Sequence, residues 1–333
     1  MACVAEAGES WFREVANLVL SIRRFGGALA EAPIVAMFVE RVEPQHAEQL
    51  TDQGVEVRVV DRFDPRSPAS NKLRMLELAG SHRFDALLAI DTDTLVMGDI
   101  SPWFSTTAVR VKPENHSPYG PEAWQGIYEA LGIAPPSRSA VMTSTGELTS
   151  PYFNSGVVFV PRDRCAELLE AWTKGVHDVL DLYADRPDLV PEPERHWTNQ
   201  LALAVALTGA RLPVDPLPVG LNLSTTVRVH PMFRHEVVPP FVLHYHNEID
   251  SDGFVFRSRN ATLNPFLDAF NRARADVFDL PYDGLPNPPL ARRLLRRVEG
   301  TAWYDHPAVT KVRTAPVLAP VRRRVVRLAR GRP

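Results

Sequence analysis

The apolar positions change period repeatedly over the first ninety residues. Cys3-Val4-Ala5 forms a short apolar run. Trp11, Val15, Leu18, Val19 and Ile22 then fall at helical spacing, with Ser10 as the expected N-cap and Gly26-Gly27 as the stop. Pro33 to Val39 is an apolar run of strand length. Pro44 to Gly54 reads as a short helix ending in glycine, and Val55 to Val60 alternates as a strand. Ser70 to Ala79 is helical again, with Ser70 as its cap. Phe84 to Ile90 is a continuous buried strand that runs into Asp91-Thr92-Asp93. Alternating strands and helices predict an α/β fold whose mainly parallel central sheet is flanked by helices. Such sheets bind ligands beyond the carboxyl ends of their strands, where this pair of aspartates falls.

Residues 105–150 show no clear period and are rich in Ser, Thr, Pro and Gly, so they read as a lid or binding loop. Tyr152 to Val160 is a strand, and Asp163 to Tyr183 a long amphipathic helix. After a Pro/Glu-rich connection, Thr198 to Leu207 is a second helix. A strand ends at His244, and Asn264 to Phe278 is the last helix of the body. No internal repeat recurs at a fixed period.

Composition narrows the class. The chain has 333 residues, of which 45% are apolar and 23% charged, enough for one large α/β domain and too apolar for disorder. No apolar run approaches the ~18–20 residues of a membrane span, and the N-terminus lacks the basic-then-apolar pattern of a signal peptide. Cys3 and Cys165 are the only cysteines, which fits a reducing, cytoplasmic setting, and no Cys/His spacing suits structural zinc. Residues 288–333 hold twelve Arg or Lys against Glu299 and Asp305, a surplus of +10 that leaves residues 1–287 at −13 within the net charge of −3. An acidic body argues against nucleic acid as a partner. In the tail, Leu290, Leu294, Leu295, Val298, Val321, Val325, Val326 and Leu328 are interleaved with arginines. That pattern suits peripheral attachment to an anionic membrane surface, with a solvated tail as the alternative.

The candidate chemistry centres on Asp91 and Asp93. Two like charges at a buried strand end are costly, and Mg²⁺ or Mn²⁺ would neutralise them with the hard oxygen ligands it prefers. The plain alternative is a pair of turn-capping aspartates. His244 ends an apolar strand in the run LHYHNE. It is a candidate third ligand, with His246 competing, while Tyr245 alternates to the other face. Asn154 and Ser155 offer donors and acceptors to sugar hydroxyls, and Gly156 admits a ligand close to the backbone. Asn71 and Lys72 open a predicted helix, a place that suits a diphosphate.

Taken in order, the runs NKL (71–73), ALLAIDTDTLVMGDI (86–100), YFNSGVVFVPR (152–162), TNQLALAVAL (198–207) and LHYH (243–246) resemble the GT-A glycosyltransferases, within them the glycogenin/galactosyltransferase-like family 8. The resemblance covers roughly residues 1–275. It implies a GT-A, Rossmann-like fold and a nucleotide-diphosphate-sugar donor, with a UDP-sugar favoured. Mn²⁺ or Mg²⁺ would be held by Asp91, Asp93 and His244. It further implies that Glu6 and Asp61 lie near base and ribose and that Asn71, Lys72 and Thr92 belong to the donor site. Asn154, Ser155 and Gly156 would face the donor sugar or acceptor. The implied division is a nucleotide-sugar-binding half at 1–104, a lid or acceptor loop at 105–150, an acceptor-binding half at 151–280 and a basic extension at 281–333. The acceptor would be a saccharide, a lipid-linked glycan or a small molecule, and retention is implied over inversion. Asn199-Gln200, grouped with Asp91 and Asp93 as catalytic, stands where the family often has Asp-Gln. Asn247 and Glu248 stand where it has a Lys-Pro-Trp closing motif.

Glu194, His196 and Asp250 are candidate bases by proximity to these runs. Two other readings compete. Asp91-Thr92-Asp93-Thr94 also matches the DxDxT nucleophile of haloacid-dehalogenase-like phosphatases, which place it on their first strand. A non-catalytic carbohydrate-binding protein of the same fold is the third.

Overall fold

A computed structural model describes residues 1–190, 197–237 and 239–289. Met1–Pro286 forms one compact unit, and a second begins at Asn287. Glu194 and His196, and almost all of the basic tail, lie outside the described residues.

The elements of the first unit are β1 (Ala2–Ala5), α1 (Glu9–Phe25), β2 (Ile34–Val39), α2 (Pro44–Thr51), β3 (Val55–Val60), β4 (Ala86–Ile90), β5 (Thr94–Val96), β6 (Val109–Pro113), α3 (Pro121–Ala130), β7 (Ala140–Val141), β8 (Leu148–Thr149), β9 (Phe153–Pro161), α4 (Cys165–Asp185), α5 (Thr198–Gly209), β10 (Val214–Pro216), β11 (Leu223–Ser224), β12 (Val242–His244) and α6 (Asn264–Phe278). The central sheet runs β10-β6-β9-β4-β1-β2-β3. Its strands pair in parallel except β9, which is antiparallel to both β4 and β6. The expected mixed, mainly parallel sheet flanked by helices is therefore the observed architecture.

The strands are apolar on both faces because both faces are covered. Val35, Met37, Leu87, Ala89, Val158 and Val160 pack with α3, α4 and α5. Their alternate neighbours Ala36, Phe38, Leu88, Ile90, Val157 and Phe159 pack with α1. Reversal of β9 brings its N-terminal residues to the edge where β4 ends, and the Asp91 N–H donates to the Gly156 carbonyl at 2.8 Å.

A second sheet, β11-β12-β5, carries the connection that sequence spacing hides. Its antiparallel register sets His244 opposite Thr94 and Leu243 opposite Leu95. The Tyr245 N–H then donates to the Asp93 carbonyl at 2.9 Å. His244 is thereby fixed beside a turn that lies about 150 residues earlier in the chain.

Three local expectations are corrected. α1 starts at Glu9 with Gly8 as N-cap, so Ser10 lies inside the helix. Residues Pro68–Gly80 form a run of 3-10 turns and not an α-helix; Ser70 turns its hydroxyl back onto the Ser67 carbonyl at 2.5 Å instead of capping. The irregular stretch 105–150 contains β6, an internal strand of the main sheet, together with α3 and the β7–β8 hairpin. Its strand is only five residues long and interrupted by Lys112, which masks the period. Among the described residues no helix is long and apolar enough to cross a membrane, and both cysteines are buried free thiols.

Candidate active site

The carboxyl end of β4, the start of β9 and the end of β12 converge. Asp93 faces His244, with Oδ1 at 3.1 Å from Nε2, and its other oxygen accepts from the Asn247 amide at 3.3 Å. Burial alone would raise the Asp93 pKa, but the His244 imidazole holds its carboxyl well below the usual range. Burial works against His244 ionisation in the same way, and the Asp93 charge outweighs it, so the imidazole pKa is raised. The opposite ring nitrogen, Nδ1, hydrogen-bonds the Asn222 side-chain oxygen at 3.0 Å. His246 stacks on His244 with ring centroids 4.1 Å apart and reaches Ser224 Oγ at 2.8 Å. The left-handed backbone at His246 and Asn247, with φ of 51° and 58°, folds this ring back over its neighbour.

One ligand atom from each of Asp93, His244 and His246 lies within 4.8 Å of the others. Asp91 lies outside this trio. Its Oδ1 pairs with Lys72 Nζ at 2.8 Å, and Lys72 also donates to the Ser155 carbonyl and hydroxyl at 3.2 and 3.0 Å. The other Asp91 oxygen still borders the cluster. A Cβ built on Gly156 would lie 3.0 Å from Asp91 Oδ2 and 2.9 Å from both His244 Cε1 and Asn154 Oδ1. Only glycine lets these three side chains close so tightly on the β9 backbone.

The remaining candidates divide. Asn154 Oδ1 accepts from the Gly156 N–H and from the Asn222 amide, both at 2.8 Å, which ties the β9 entrance to the His244 support. Asn199 donates to Ser155 Oγ at 2.7 Å, and Gln200 is buried beside it on α5. Asn71, Glu6 and Arg62 form a separate knot on the same edge. Arg62 grips both Glu6 oxygens at 2.8 Å, and Asn71 adds a bond at 2.9 Å. Asp61 is exposed, and it is its carbonyl that accepts from Arg74 at 3.1 Å. Thr92 points away from the trio, its hydroxyl donating to the buried Glu14 at 2.9 Å. Asp250 caps its own turn, accepting from the Asp252 and Phe254 N–H groups at 2.9 and 3.0 Å. Sequence reasoning missed Arg62, Asn222 and Glu14. None of them belongs to a motif, and only the fold brings them to the site.

The donor set fits a divalent ion. It combines carboxylate oxygen with imidazole nitrogen, and the second nitrogen of His244 is already committed to Asn222, the support that orients metal-binding histidines.

A family model described as the Rhodobacterales glycosyltransferase domain matches residues 1–211. No curated protein matches the chain. Among solved structures, the glycosyltransferase GlyE of Streptococcus pneumoniae TIGR4 is similar at TM-score 0.44 and 15% identity, over 84% of this chain and 64% of that one. The chain thus spans about 64% of the GlyE chain. The galactosyltransferase LgtC, crystallised with donor and acceptor sugar analogs, gives 0.45 and 14%, over 88% and 99%. Mouse xyloside xylosyltransferase 1 in its apo form gives 0.43 and 11%, over 73% and 96%.

Proposed function

Because the chain belongs to the Rhodobacterales glycosyltransferase domain family, we propose that it is a metal-dependent enzyme moving a sugar from a nucleotide-diphosphate donor, a UDP-sugar, to a hydroxyl acceptor. The observation that carries this reading is the Asp93–His244 pair, 3.1 Å apart, with His246 beside it and Asn222 behind it. Asp93 and His244 would hold Mn²⁺ or Mg²⁺, with Asp91 and His246 as the adjoining ligands. When bound, the cation supplies charge stabilisation to the departing pyrophosphate.

The chain's own residues do the rest. Lys72, anchored between Asp91 and Ser155, places a second positive charge against the diphosphate. Gly156 lets Asp91, Asn154 and His244 gather closely over the backbone at the donor's edge. Asn154, Ser155 and Asn199 present an orienting amide and hydroxyl array to the sugar. The Glu6–Arg62–Asn71 knot borders the nucleoside. Retention follows from the resemblance of the motifs, with the departing phosphate oxygen taking the acceptor proton; Asn199, where the family often has a carboxylate, removes a double displacement through that α5 position. The uridine preference and the acceptor class, a saccharide or lipid-linked glycan, follow from the resemblance of the motifs. Attachment of the basic tail to an anionic membrane belongs to the same proposal.

The phosphatase reading loses its support to the family match and to the place of Asp91 directly after the fourth strand. The test is hydrolysis of UDP-galactose and UDP-glucose, with water as acceptor. UDP release is expected with Mn²⁺, is abolished by EDTA, and falls at least a hundredfold in Asp93→Asn. Release that ignores both EDTA and the substitution contradicts the proposal, and no release at all favours the carbohydrate-binding reading.

A further inference from the structure

Behind the Asp91–Asp93 turn, on the Thr92 side that faces away from the Asp93–His244–His246 trio, runs a chain of buried polar groups that the proposed reaction does not use. It starts on α6 at Arg274, 5% exposed. Its Nε donates to the Asp252 carbonyl at 2.8 Å and its Nη1 to Asn17 Oδ1 at 2.6 Å. Phe278 lies under the guanidinium at 4.5 Å. The backbone makes way for it: Gly253 has φ 84°, and a Cβ there would sit 2.5 Å from Arg274 Nη2. Asn17, on α1, passes the contact inward. Its amide donates to the Gly253 carbonyl at 2.9 Å, and its side chain neighbours the Tyr245 phenol, whose pKa burial raises and Asn17 draws back down. Tyr245 then holds the turn at two points, its hydroxyl donating to the Thr92 carbonyl at 3.3 Å and its backbone N–H to the Asp93 carbonyl at 2.9 Å.

Four segments distant in sequence thus meet through one arginine, one amide and one phenol. Apolar side chains would fill the same space without the cost of desolvating a guanidinium. What the polar chain adds is direction. Tyr245 follows His244 on β12, so its phenol and the imidazole point to opposite faces of one strand. The phenol bonds the Thr92 carbonyl while the backbone N–H of the same residue bonds the Asp93 carbonyl, so Tyr245 ties two successive carbonyls of the turn to the strand that carries His244.

We propose that this buried strut, Arg274–Asn17–Tyr245, sets the spacing between the Asp93 carboxylate and the His244 imidazole, making Tyr245 and Arg274 positioning residues for the divalent ion. The inference rests on the metal-binding reading above. Neither residue touches the ion or the substrate.

The test is calorimetric titration of the full chain with MnCl₂, accompanied by thermal melting. Tyr245→Phe removes a single hydroxyl and keeps the ring. It is expected to weaken Mn²⁺ binding about fivefold, the worth of one net hydrogen bond, while the melting temperature shifts little. Arg274→Lys keeps the charge and loses the fork, and is expected to weaken binding similarly. The double variant is expected to lose less than the product of the two, because both cut one chain. Lost donor hydrolysis in either variant is expected to recover at saturating Mn²⁺, a separation that general destabilisation would not produce. Wild-type binding with both variants within twofold of it overturns the strut and leaves the metal reading intact. A wild type that binds no Mn²⁺ overturns the metal reading first. If Arg274→Lys fails to fold, Tyr245→Phe decides alone.

Discussion

At the residue scale the site depends on one absent atom and one tightly held proton. Gly156 sits where a methyl would meet Asn154 Oδ1, His244 Cε1 and Asp91 Oδ2, all at 2.9–3.0 Å. Gly156→Ala is expected to cost about 1–3 kcal/mol of stability as these groups are pushed apart. The same change is expected to lower UDP-sugar hydrolysis at least tenfold, and turnover within twofold of wild type would show that this close packing is not needed. The proton concerned is the one that Asp93, 3.1 Å away, stabilises on the His244 imidazole. An ion that takes this imidazole nitrogen must displace a proton held more tightly than in free histidine, since Asp93 raises the His244 pKa. Mn²⁺ affinity is therefore expected to rise between pH 6 and pH 8, with a proton released on binding. Titration in two buffers of different ionisation heat measures that release, and a pH-independent affinity with none contradicts the assignment of His244.

At the scale of elements, α1 contributes a buried carboxyl as well as an apolar face. Glu14 is pushed up to about 8 by burial first, with the Asp93 and Asp91 charges adding to it and the Thr92 hydroxyl opposing. Its folded pKa lies above the value of 4.5 expected in the unfolded chain. The fold therefore prefers the protonated form. That contribution to stability is complete below about pH 4.5 and is lost as pH rises to about 8. Glu14→Gln keeps an acceptor for Thr92 and removes the titration. In EDTA its melting temperature is expected to match wild type at pH 5 and to exceed it by about 2–6 °C at pH 8. An equal difference at both pH values would show that Glu14 does not ionise in this window. The small β11-β12-β5 sheet is the other decisive element. Its three-residue strands Thr94–Val96 and Val242–His244 join the two halves of the proposed metal site.

At the scale of the molecule, the sequence pattern made the strand–helix alternation, the buried β4 strand and the carboxylate pair at its end legible, because long apolar runs and a strand-end aspartate pair are local signals. The same locality hid the rest. β6 is short and carries Lys112 inside the sheet, so its period was invisible. The residues that hold His244 and Glu6 in place, Asn222 and Arg62, become partners only through strand register and a loop crossing. One oxygen of Asp91 is engaged by Lys72 at 2.8 Å, a pairing across nineteen residues that no periodicity announces. The fold also draws His246 to Asp93 and His244, beside the other oxygen of Asp91.

The most direct measurement is calorimetric binding of UDP to the full chain, with Mn²⁺ and with EDTA, in wild type and in Asp93→Asn. The account predicts binding to the wild type that requires Mn²⁺ and is lost in the variant. UDP that binds equally well in EDTA, or to Asp93→Asn, would contradict it.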